Sequence, residues 1–301
     1  MKATFNDNAN VRAKSRILYD AKNIEKNSDN LNNHEGLYFK FNTDGNVFST
    51  KYNMLIIGPD DSPYAGGFYL FASQFPDQYP YRPMKMTSLT QGGGIRKHPN
   101  LYRCGKCCFS FLGTWTGPPW TACQNPTTVG ISMRSVFTNN PINNEPGWEK
   151  KCDARTKLYE TLIRYFNIRY AVIEVVKNVS TSNKYSLFKD AIIKVFKQNY
   201  LTYKNEITKF QHLDGKETRS PVYNFTVNIN CDSLHKELDY LYNTLTNGGD
   251  TPINIVSKSK RKAPEKPASI YETGTIMKGL DSRSWKVKEY ANGSKRWVLD
   301  K

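Results

Sequence analysis

The sequence of 301 residues predicts an α+β fold, in which one helix precedes a four-stranded antiparallel meander and further helices follow a long loop-rich stretch. Two observations lead to this prediction. Between residues 36 and 90, four short apolar runs are separated by turns that contain Gly and Pro, and no gap is long enough for a crossover helix. After residue 154, apolar residues instead recur at the spacing of an amphipathic helix.

The first predicted helix covers residues 11–27, and a loop is predicted from Asn27 to Glu35. The apolar side of this helix carries Val11, Ile17, Leu18, Ala21 and Ile24. The opposite side is basic and carries Arg12, Arg16, Lys22 and Lys26. The four predicted strands lie within residues 37–41, 52–57, 68–75 and 84–89.

Residues 91–150 show almost no regular periodicity and are rich in Gly, Pro, Asn and Cys. A loop-rich stretch of this length inside a domain is typically functional or disordered. Its three tryptophans favour an ordered loop that is packed by aromatic side chains. One short helix is predicted within it, over residues 128–137, and Gly92 to Gly94 are predicted to be a flexible insertion.

The apolar spacing in the second half of the chain predicts helices over residues 154–200, with a break at 178–183. A half-buried strand is predicted over residues 223–229. A helix is then predicted over residues 234–245, and it stops at Gly248-Gly249. A terminal hairpin is predicted because Asn292-Gly293, a strong turn signal, separates residues 285–290 from residues 295–299. The basic, Pro-containing residues 257–269 are predicted to form a linker.

Composition and charge narrow the class of protein. The formal net charge of +16 permits an acidic partner without choosing between protein and nucleic acid. The longest apolar runs are far shorter than the roughly 18 residues that a membrane span needs, and the N-terminus lacks the apolar stretch of a secretory signal. The spacing of the six cysteines does not resemble a disulfide framework, which predicts a reducing compartment. We therefore expect a protein of the cytoplasm, with the nucleus as the alternative location, and no membrane partner.

Several short motifs follow one another in the middle of the chain: Ser62-Pro63-Tyr64-x-Gly66-Gly67, Tyr79-Pro80-x-x-Pro83, His98-Pro99-Asn100, Gly105-Lys106-Cys107-Cys108, Leu112-Gly113-Thr114-Trp115 and Asn144-Glu145-Pro146-Gly147-Trp148. This series resembles the catalytic domain of ubiquitin-conjugating (E2) enzymes. In that family the active cysteine lies eight residues after the asparagine of the His-Pro-Asn tripeptide, as Cys108 does after Asn100. The motifs after Cys108 resemble those of the large E2/E3 hybrid enzymes of the giant inhibitor-of-apoptosis type.

The resemblance covers roughly residues 36–210, with residues 11–27 as the family's first helix. The Asn-, Lys- and Tyr-rich composition would suit an AT-rich genome, such as that of a giant virus or a protist, and a giant-virus member is one interpretation. In that case the location would be the host cytoplasm. Five segments are then expected: the N-terminal segment (1–35), the E2 core (36–150), the C-terminal E2 helices (151–210), a strand–helix extension (211–256) and a basic linker with the hairpin (257–301).

The resemblance implies a UBC-like fold and an enzyme that accepts ubiquitin from an activating enzyme (E1) as a thioester on Cys108 and passes it to a substrate lysine. A thiolate suits this chemistry because it is both a good nucleophile and a good leaving group, and the cysteine is expected to be exposed. Asn100 is expected either to stabilise the oxyanion intermediate or to hold the loop. His98 and Pro99 are implied to be structural, with His98 pinning the loop rather than acting as a base.

The implied partners are ubiquitin, the E1, an E3 ligase and substrate proteins. No cofactor or metal is expected, because the E1 consumes the ATP. Arg12 and Arg16 on the first helix would contact the E1, although the basic face could also be merely solvated. Tyr81, Trp120 and Ala122 match the positions that the family presents to E3 ligases. Asn143 and Glu145 are candidates to assist deprotonation of the incoming lysine.

Alternative interpretations stay open at this point. The modifier could be a ubiquitin-like protein, or the chain could be a non-catalytic ubiquitin-binding adaptor, against which the presence of both Cys108 and Asn100 argues. A third alternative is binding of nucleic acid by the chain of net charge +16, although nucleic acid is not among the expected partners. Cys104-x-x-Cys107 could be half of a zinc site, but a second ligand pair at matching spacing is absent from the sequence. Cys107 is expected to be buried and inert beside Cys108.

Overall fold

The computed structural model describes residues 4–5, 11–44, 47–247, 263–264, 268–279, 283–290 and 295–300. The chain divides into two compact units, residues 1–253 and residues 254–301. The first unit contains every motif of the candidate site.

The predicted antiparallel meander lies in the first unit. Its strands are β2 (Leu37–Asp44), β3 (Val47–Ile57), β4 (Phe68–Gln74) and β5 (Lys85–Ser88), and a short strand β1 (Thr4–Phe5) pairs in parallel with the start of β3. In β4 the four consecutive residues 68–71 are all buried. Because neighbouring side chains of a strand point to opposite faces, this continuous burial shows that both faces of the sheet are covered there.

The N-terminal helices agree with the sequence only in part. Helix α1 (Val11–Lys26) is confirmed, and it buries Ile17, Ala21 and Ile24 as predicted, whereas Val11 is exposed. The predicted loop from Asn27 to Glu35 is wrong, because a short helix α2 (Ser28–Asn33) occupies most of it. Leu31 of α2 is buried, and this packing supplies the stabilisation that a six-residue helix cannot supply from its own hydrogen bonds.

Helix α3 (Pro126–Ser135) follows the long loop and begins two residues before its predicted start. The Asn125 side chain accepts a hydrogen bond from the Thr128 backbone N–H, and the Thr128 hydroxyl accepts one from the Asn125 backbone N–H, so the two residues form a capping box. Gly130 lets the helix approach the sheet closely, since a Cβ there would lie 3.0 Å from Met54 Sδ.

A single helical rod follows residue 153. It consists of α4 (Ala154–Phe166), a π-helical segment (Asn167–Ile173) and α5 (Glu174–Lys177). Within the π-helical segment, buried Asn167 donates to the Ala65 carbonyl and accepts from the Tyr69 hydroxyl. A Cβ at Gly67 would lie 1.8 Å from Asn167 Oδ1, so this close contact explains the second glycine of the Ser-Pro-Tyr-x-Gly-Gly motif. The predicted break after residue 177 is confirmed, and α6 (Lys189–Thr208) follows it.

The remainder of the first unit is a small extension. It comprises a two-stranded hairpin of β6 (Glu217–Arg219) and β7 (Thr226–Asn228), followed by α7 (Cys231–Thr246), which packs on α6. The strand predicted over residues 223–229 is too long, because Tyr223 and Asn224 have left-handed backbones with φ of 62° and 46°. The Gly248-Gly249 stop lies outside the described residues.

The second unit contains a three-stranded antiparallel sheet of β8 (Ile276–Lys278), β9 (Ser284–Glu289) and β10 (Lys295–Leu299). The two strands of the predicted hairpin are confirmed, and β8 was not predicted. The Asn292-Gly293 turn and the lysines of the predicted linker lie outside the described residues. In the part of the chain that the structure describes, no helix is both long and apolar enough to span a membrane.

Candidate active site

Backbone and side-chain hydrogen bonds join the two ends of the loop that carries the predicted catalytic residues. The Cys108 N–H donates to the Asn100 carbonyl at 2.8 Å, and Asn100 Nδ2 donates back to the Cys108 carbonyl at 2.7 Å. Between them, the Tyr102 N–H donates to the Lys106 carbonyl at 3.0 Å. The eight-residue spacing noted in the sequence therefore corresponds to a closed loop in which Asn100 and Cys108 face each other.

His98 lies beneath this loop and is fully buried. Its Nδ1 accepts from the Asn100 N–H at 3.0 Å, so the ring proton sits on Nε2, which donates to the Val136 carbonyl at 3.0 Å. Burial lowers the pKa of His98 to about 3, so the ring is neutral at physiological pH and holds no proton-accepting nitrogen free. This geometry fits the structural role implied for His98.

Pro99 is buried in the same tripeptide. Its carbonyl accepts a hydrogen bond from Arg96 Nη2 at 2.5 Å. All three residues of the tripeptide are therefore held through polar contacts to the surrounding chain.

The Cys108 side chain is not exposed, which differs from the sequence expectation. The residue is 3% exposed, and its Sγ donates to the Thr114 carbonyl at 2.9 Å. The cause is the turn after Cys108, in which a short 3-10 helix (Ser110–Leu112) ends at Gly113 with a φ of 69°. This turn brings the Thr114 carbonyl back onto the sulfur.

Thr114 holds that turn together. Its hydroxyl accepts from the Phe109 N–H at 2.9 Å and donates to the Cys107 carbonyl at 3.0 Å, and its own N–H donates to the Phe109 carbonyl at 3.1 Å. Residues 113–119 that continue from it are all exposed. The sulfur of Cys108 therefore lies beneath the first residues of an exposed segment. Thr114 belongs to the Leu112-Gly113-Thr114-Trp115 motif of the sequence, but only the folded structure shows that it holds this turn.

Cys107 has different surroundings although it is equally buried at 3% exposure. Its Sγ faces the Gly105 carbonyl at 3.6 Å, and burial raises the pKa of its thiol to about 12. Nearby Lys97 is fully buried, its Nζ has no hydrogen-bond partner, and burial lowers its pKa to about 7. The high pKa disfavours a Cys107 thiolate, which fits the inert role expected for it.

The predicted E3-contact residues lie around one surface. Tyr81 is 68% exposed, and Trp120 Nε1 donates to the Pro80 carbonyl at 2.6 Å, which links the two loops. The Ala122 carbonyl is occupied by a hydrogen bond from Arg16 Nη1 at 2.8 Å. The surface thus presents Tyr81 beside a fixed Trp120 loop.

Arg16, which the sequence predicted to contact the E1, is held by hydrogen bonds within the chain. Its Nε donates to both carboxylate oxygens of Asp20 at 3.0 and 3.1 Å, and its Nη2 donates to the Gln124 carbonyl at 3.1 Å. Asp20 is 3% exposed and also accepts from the Tyr79 hydroxyl. The Arg16 guanidinium therefore ties α1 to the Trp120 loop, while Arg12 on the same helix is exposed.

Gly92 and Gly93 pack tightly instead of forming the expected flexible insertion. A Cβ at these positions would lie 2.0 Å and 2.6 Å from atoms of the Tyr170 ring, respectively. The glycines therefore allow the loop to lie against the π-helical segment. Among the residues that the structure describes, no group of three His, Cys, Asp or Glu side chains could hold a metal ion.

The part of the chain that carries the meander and the loop is similar to a known family of proteins. Residues 23–166 match the family model described as "Ubiquitin-conjugating enzyme". The matched residues, which make up just under half of the chain, are therefore similar to this family.

Three relatives show the likeness in more detail. "Ubiquitin-conjugating enzyme E2 Z" of Xenopus tropicalis is 38% identical over 174 residues, which are 57% of this chain and 55% of the relative. The human "Dual E2 ubiquitin-conjugating enzyme/E3 ubiquitin-protein ligase BIRC6" is 36% identical over 158 residues, 48% of this chain and 3% of the relative. A probable ubiquitin-conjugating enzyme E2 of Acanthamoeba polyphaga mimivirus is 35% identical over 154 residues, 47% of this chain and 10% of the relative.

These relatives include a hybrid enzyme of the kind that the motifs resembled, while the E2 Z match is longer and slightly more identical. The chain spans about half the length of the E2 Z relatives that it matches. The match to the family model ends at residue 166, so α6, the β6–β7 hairpin and α7 lie beyond it.

Proposed function

We propose that this chain accepts ubiquitin from an E1 as a thioester on Cys108 and transfers it to a lysine of a substrate protein. The observation that carries the proposal is the closed loop in which Asn100 and Cys108, eight residues apart, exchange hydrogen bonds. It places one cysteine sulfur next to an exposed segment, within a domain of the ubiquitin-conjugating family.

The reaction comprises two acyl transfers. In the first, the Cys108 thiolate attacks the carbonyl carbon of the E1–ubiquitin thioester, a new C–S bond forms, and the E1 cysteine leaves as a thiolate. In the second, the neutral lysine amine attacks the new thioester, an isopeptide C–N bond forms as the C–S bond breaks, Cys108 leaves as a thiolate, and the nitrogen loses one proton to water. ATP is used by the E1, and this chain needs no cofactor or metal for either step.

Access to Cys108 requires a change at Thr114. The Thr114 carbonyl occupies the hydrogen-bonding direction of the Cys108 sulfur, so this contact breaks before an incoming carbonyl carbon can reach the sulfur. The exposed residues 113–119 with left-handed Gly113 and Gly117 provide a segment that can move without disturbing the buried core.

Asn100 and His98 support the reaction without exchanging protons with the substrate. The Asn100 amide donates to the Cys108 carbonyl, which favours the loop-holding role over direct oxyanion stabilisation. Neutral His98 fixes the loop through both ring nitrogens. Because the catalytic thiol must stay reduced, we place the reaction in the cytoplasm.

A thioester assay tests the proposal. The full chain is incubated with ubiquitin, E1 and ATP, and products are separated with and without reductant. We expect a reductant-sensitive adduct from the wild type, a reductant-resistant ester from Cys108→Ser, and a normal thioester from the matched control Cys107→Ser. Absence of the wild-type adduct, or its persistence in Cys108→Ala, would overturn the proposal. Parallel reactions with ubiquitin-like modifiers and their own E1 enzymes determine which modifier is preferred.

A further inference from the structure

An arginine contacts the His-Pro-Asn tripeptide and Tyr102, two residues after it. Arg96 Nη2 donates to the Pro99 carbonyl at 2.5 Å. The Arg96 guanidinium carbon also lies 4.0 Å from the centroid of the Tyr102 ring, two residues beyond the tripeptide. One side chain therefore contacts the chain on both sides of Asn100.

The second face of this guanidinium is covered by a residue from the C-terminal extension. The Tyr223 ring centroid lies 4.1 Å from the guanidinium carbon of Arg96, so Arg96 is sandwiched between Tyr102 and Tyr223. The Tyr223 hydroxyl donates to Glu145, whose carboxylate lies 3.8 Å from Arg96 Nη2. We call Arg96, Tyr102, Glu145 and Tyr223 the tyrosine clamp.

The backbone at Tyr223 is shaped to place its ring in the tyrosine clamp. Tyr223 and the next residue have left-handed backbones, which side chains other than glycine rarely adopt without compensating contacts. Arg103, from the active-site loop, donates to the Tyr223 and Asn224 carbonyls. Tyr159 of α4 contacts the Tyr223 ring edge-on at 5.7 Å. These contacts hold the β6–β7 hairpin against the loop.

The electrostatics of the tyrosine clamp favour order in the loop. The Arg96 side chain is 17% exposed, so its charge is largely removed from water. Away from water, its stacking on aromatic rings and its ion pairing are stronger. The loop itself offers little regular structure between β5 and α3. Its conformation therefore depends on contacts from elsewhere in the chain.

We propose that Tyr223 is a positioning residue for the conjugation reaction, which holds the His-Pro-Asn loop in the conformation that pairs Asn100 with Cys108. The proposal rests on the function proposed above. In this proposal the extension beyond the matched domain supports the active site. Tyr223 acts through Arg96 and does not contact the reacting atoms.

The first test measures the reaction. Wild type, Tyr223→Ala and Tyr223→Phe are charged with ubiquitin, and single-turnover discharge to free lysine is followed across lysine concentrations. The matched control is Tyr242→Ala, which removes another stacked tyrosine of the extension, 4.0 Å from the Tyr200 ring. We expect the maximal discharge rate of Tyr223→Ala to fall about tenfold, because loop misplacement penalises the reaction at any lysine concentration. Tyr223→Phe keeps the ring and most of the rate, and Tyr242→Ala discharges like the wild type.

The second test needs neither E1 nor ubiquitin. Hydrogen exchange of the Cys108 amide reports directly on its bond to the Asn100 carbonyl. We expect protection of this amide to fall about tenfold in Tyr223→Ala and to stay unchanged in Tyr242→Ala. The free energy of an aromatic–cation contact together with its hydrogen bond corresponds to about a tenfold change in the opening equilibrium. If Tyr223→Ala does not fold, Arg96→Lys, which loses the planar stack, replaces it.

The outcomes separate the two proposals. If the wild type forms no thioester, the proposed function fails, and the exchange experiment still decides whether Tyr223 orders the loop. If the wild type is active but Tyr223→Ala discharges ubiquitin as fast as Tyr242→Ala, Tyr223 is not a positioning residue. Equal exchange rates in those two variants would also overturn the inference.

Discussion

Replacing Arg16 by alanine separates a structural role from a role in binding the E1. The substitution removes the two hydrogen bonds to the Ala122 and Gln124 carbonyls and the bifurcated hydrogen bond from Arg16 Nε to the Asp20 carboxylate. Asp20 stays buried with one remaining partner, the Tyr79 hydroxyl. The variant therefore leaves a buried carboxylate without its positive partner.

The expected loss of stability follows from this geometry. Removing one partner of a buried ion pair costs about 3–5 kcal/mol, because the remaining charge is uncompensated. The Arg16 side chain is 24% exposed, so water can reach the gap and the lower end applies, about 3 kcal/mol. For a unit of this size, 1 kcal/mol corresponds to roughly 2–4 °C in Tm, so we expect Tm to fall by roughly 6–12 °C.

Thermal and urea unfolding of the full chain, followed by tryptophan fluorescence, measure this loss. Arg12→Ala is the matched control, because Arg12 lies on the same helix and is exposed, and we expect it to change stability by less than about 0.5 kcal/mol. The reasoning is refuted if Arg16→Ala has the same Tm as Arg12→Ala but no longer forms the thioester with E1. That result would support the predicted contact between Arg16 and the E1.

Three further predictions concern the active-site loop. Lys97→Met should stabilise the protein by about 2–4 kcal/mol at pH 7, because it removes a buried amine that has no hydrogen-bond partner. Since the folded pKa of Lys97 is lowered to about 7, wild-type stability in urea should rise between pH 7 and 10.5 while Lys97→Met lacks this rise. The pKa of His98 is lowered to about 3, so unfolding midpoints should fall as pH drops below 6.5, by up to about 1.4 kcal/mol per pH unit, and His98→Gln should lack this component. Thr114→Val should accelerate alkylation of Cys108 by iodoacetamide about fivefold, measured by mass spectrometry, whereas an equal effect of Thr116→Val would contradict the role given to Thr114.

Local patterns in the sequence were sufficient for the parts of the fold that depend on neighbouring residues. The meander was predicted because apolar runs and Gly–Pro turns are short-range signals, and strands β2 to β5 lie where those runs occur. The helices after residue 154 were predicted from their apolar spacing. The series of motifs also resembled the family whose model residues 23–166 match, and it located the loop that joins Asn100 to Cys108.

Errors arose where a local signal was weak or was overridden. Helix α2 is too polar to be recognised from its sequence and depends on the packing of Leu31. The strand around residue 225 looked longer because alternation continues through Tyr223, whose backbone is left-handed in the folded chain. In both cases contacts with the rest of the unit determine the local conformation.

The sequence by itself predicted most of the regular elements and the loop that joins Asn100 to Cys108, since both depend on residue type and spacing along the chain. The tertiary structure alone decided how those residues are supported. Arg16 and its Ala122 and Gln124 partners are more than 100 positions apart, as are Arg103 and Tyr223. Pairs so distant leave no periodic signal in one sequence, because the chain brings them together only when the packed core sets their positions.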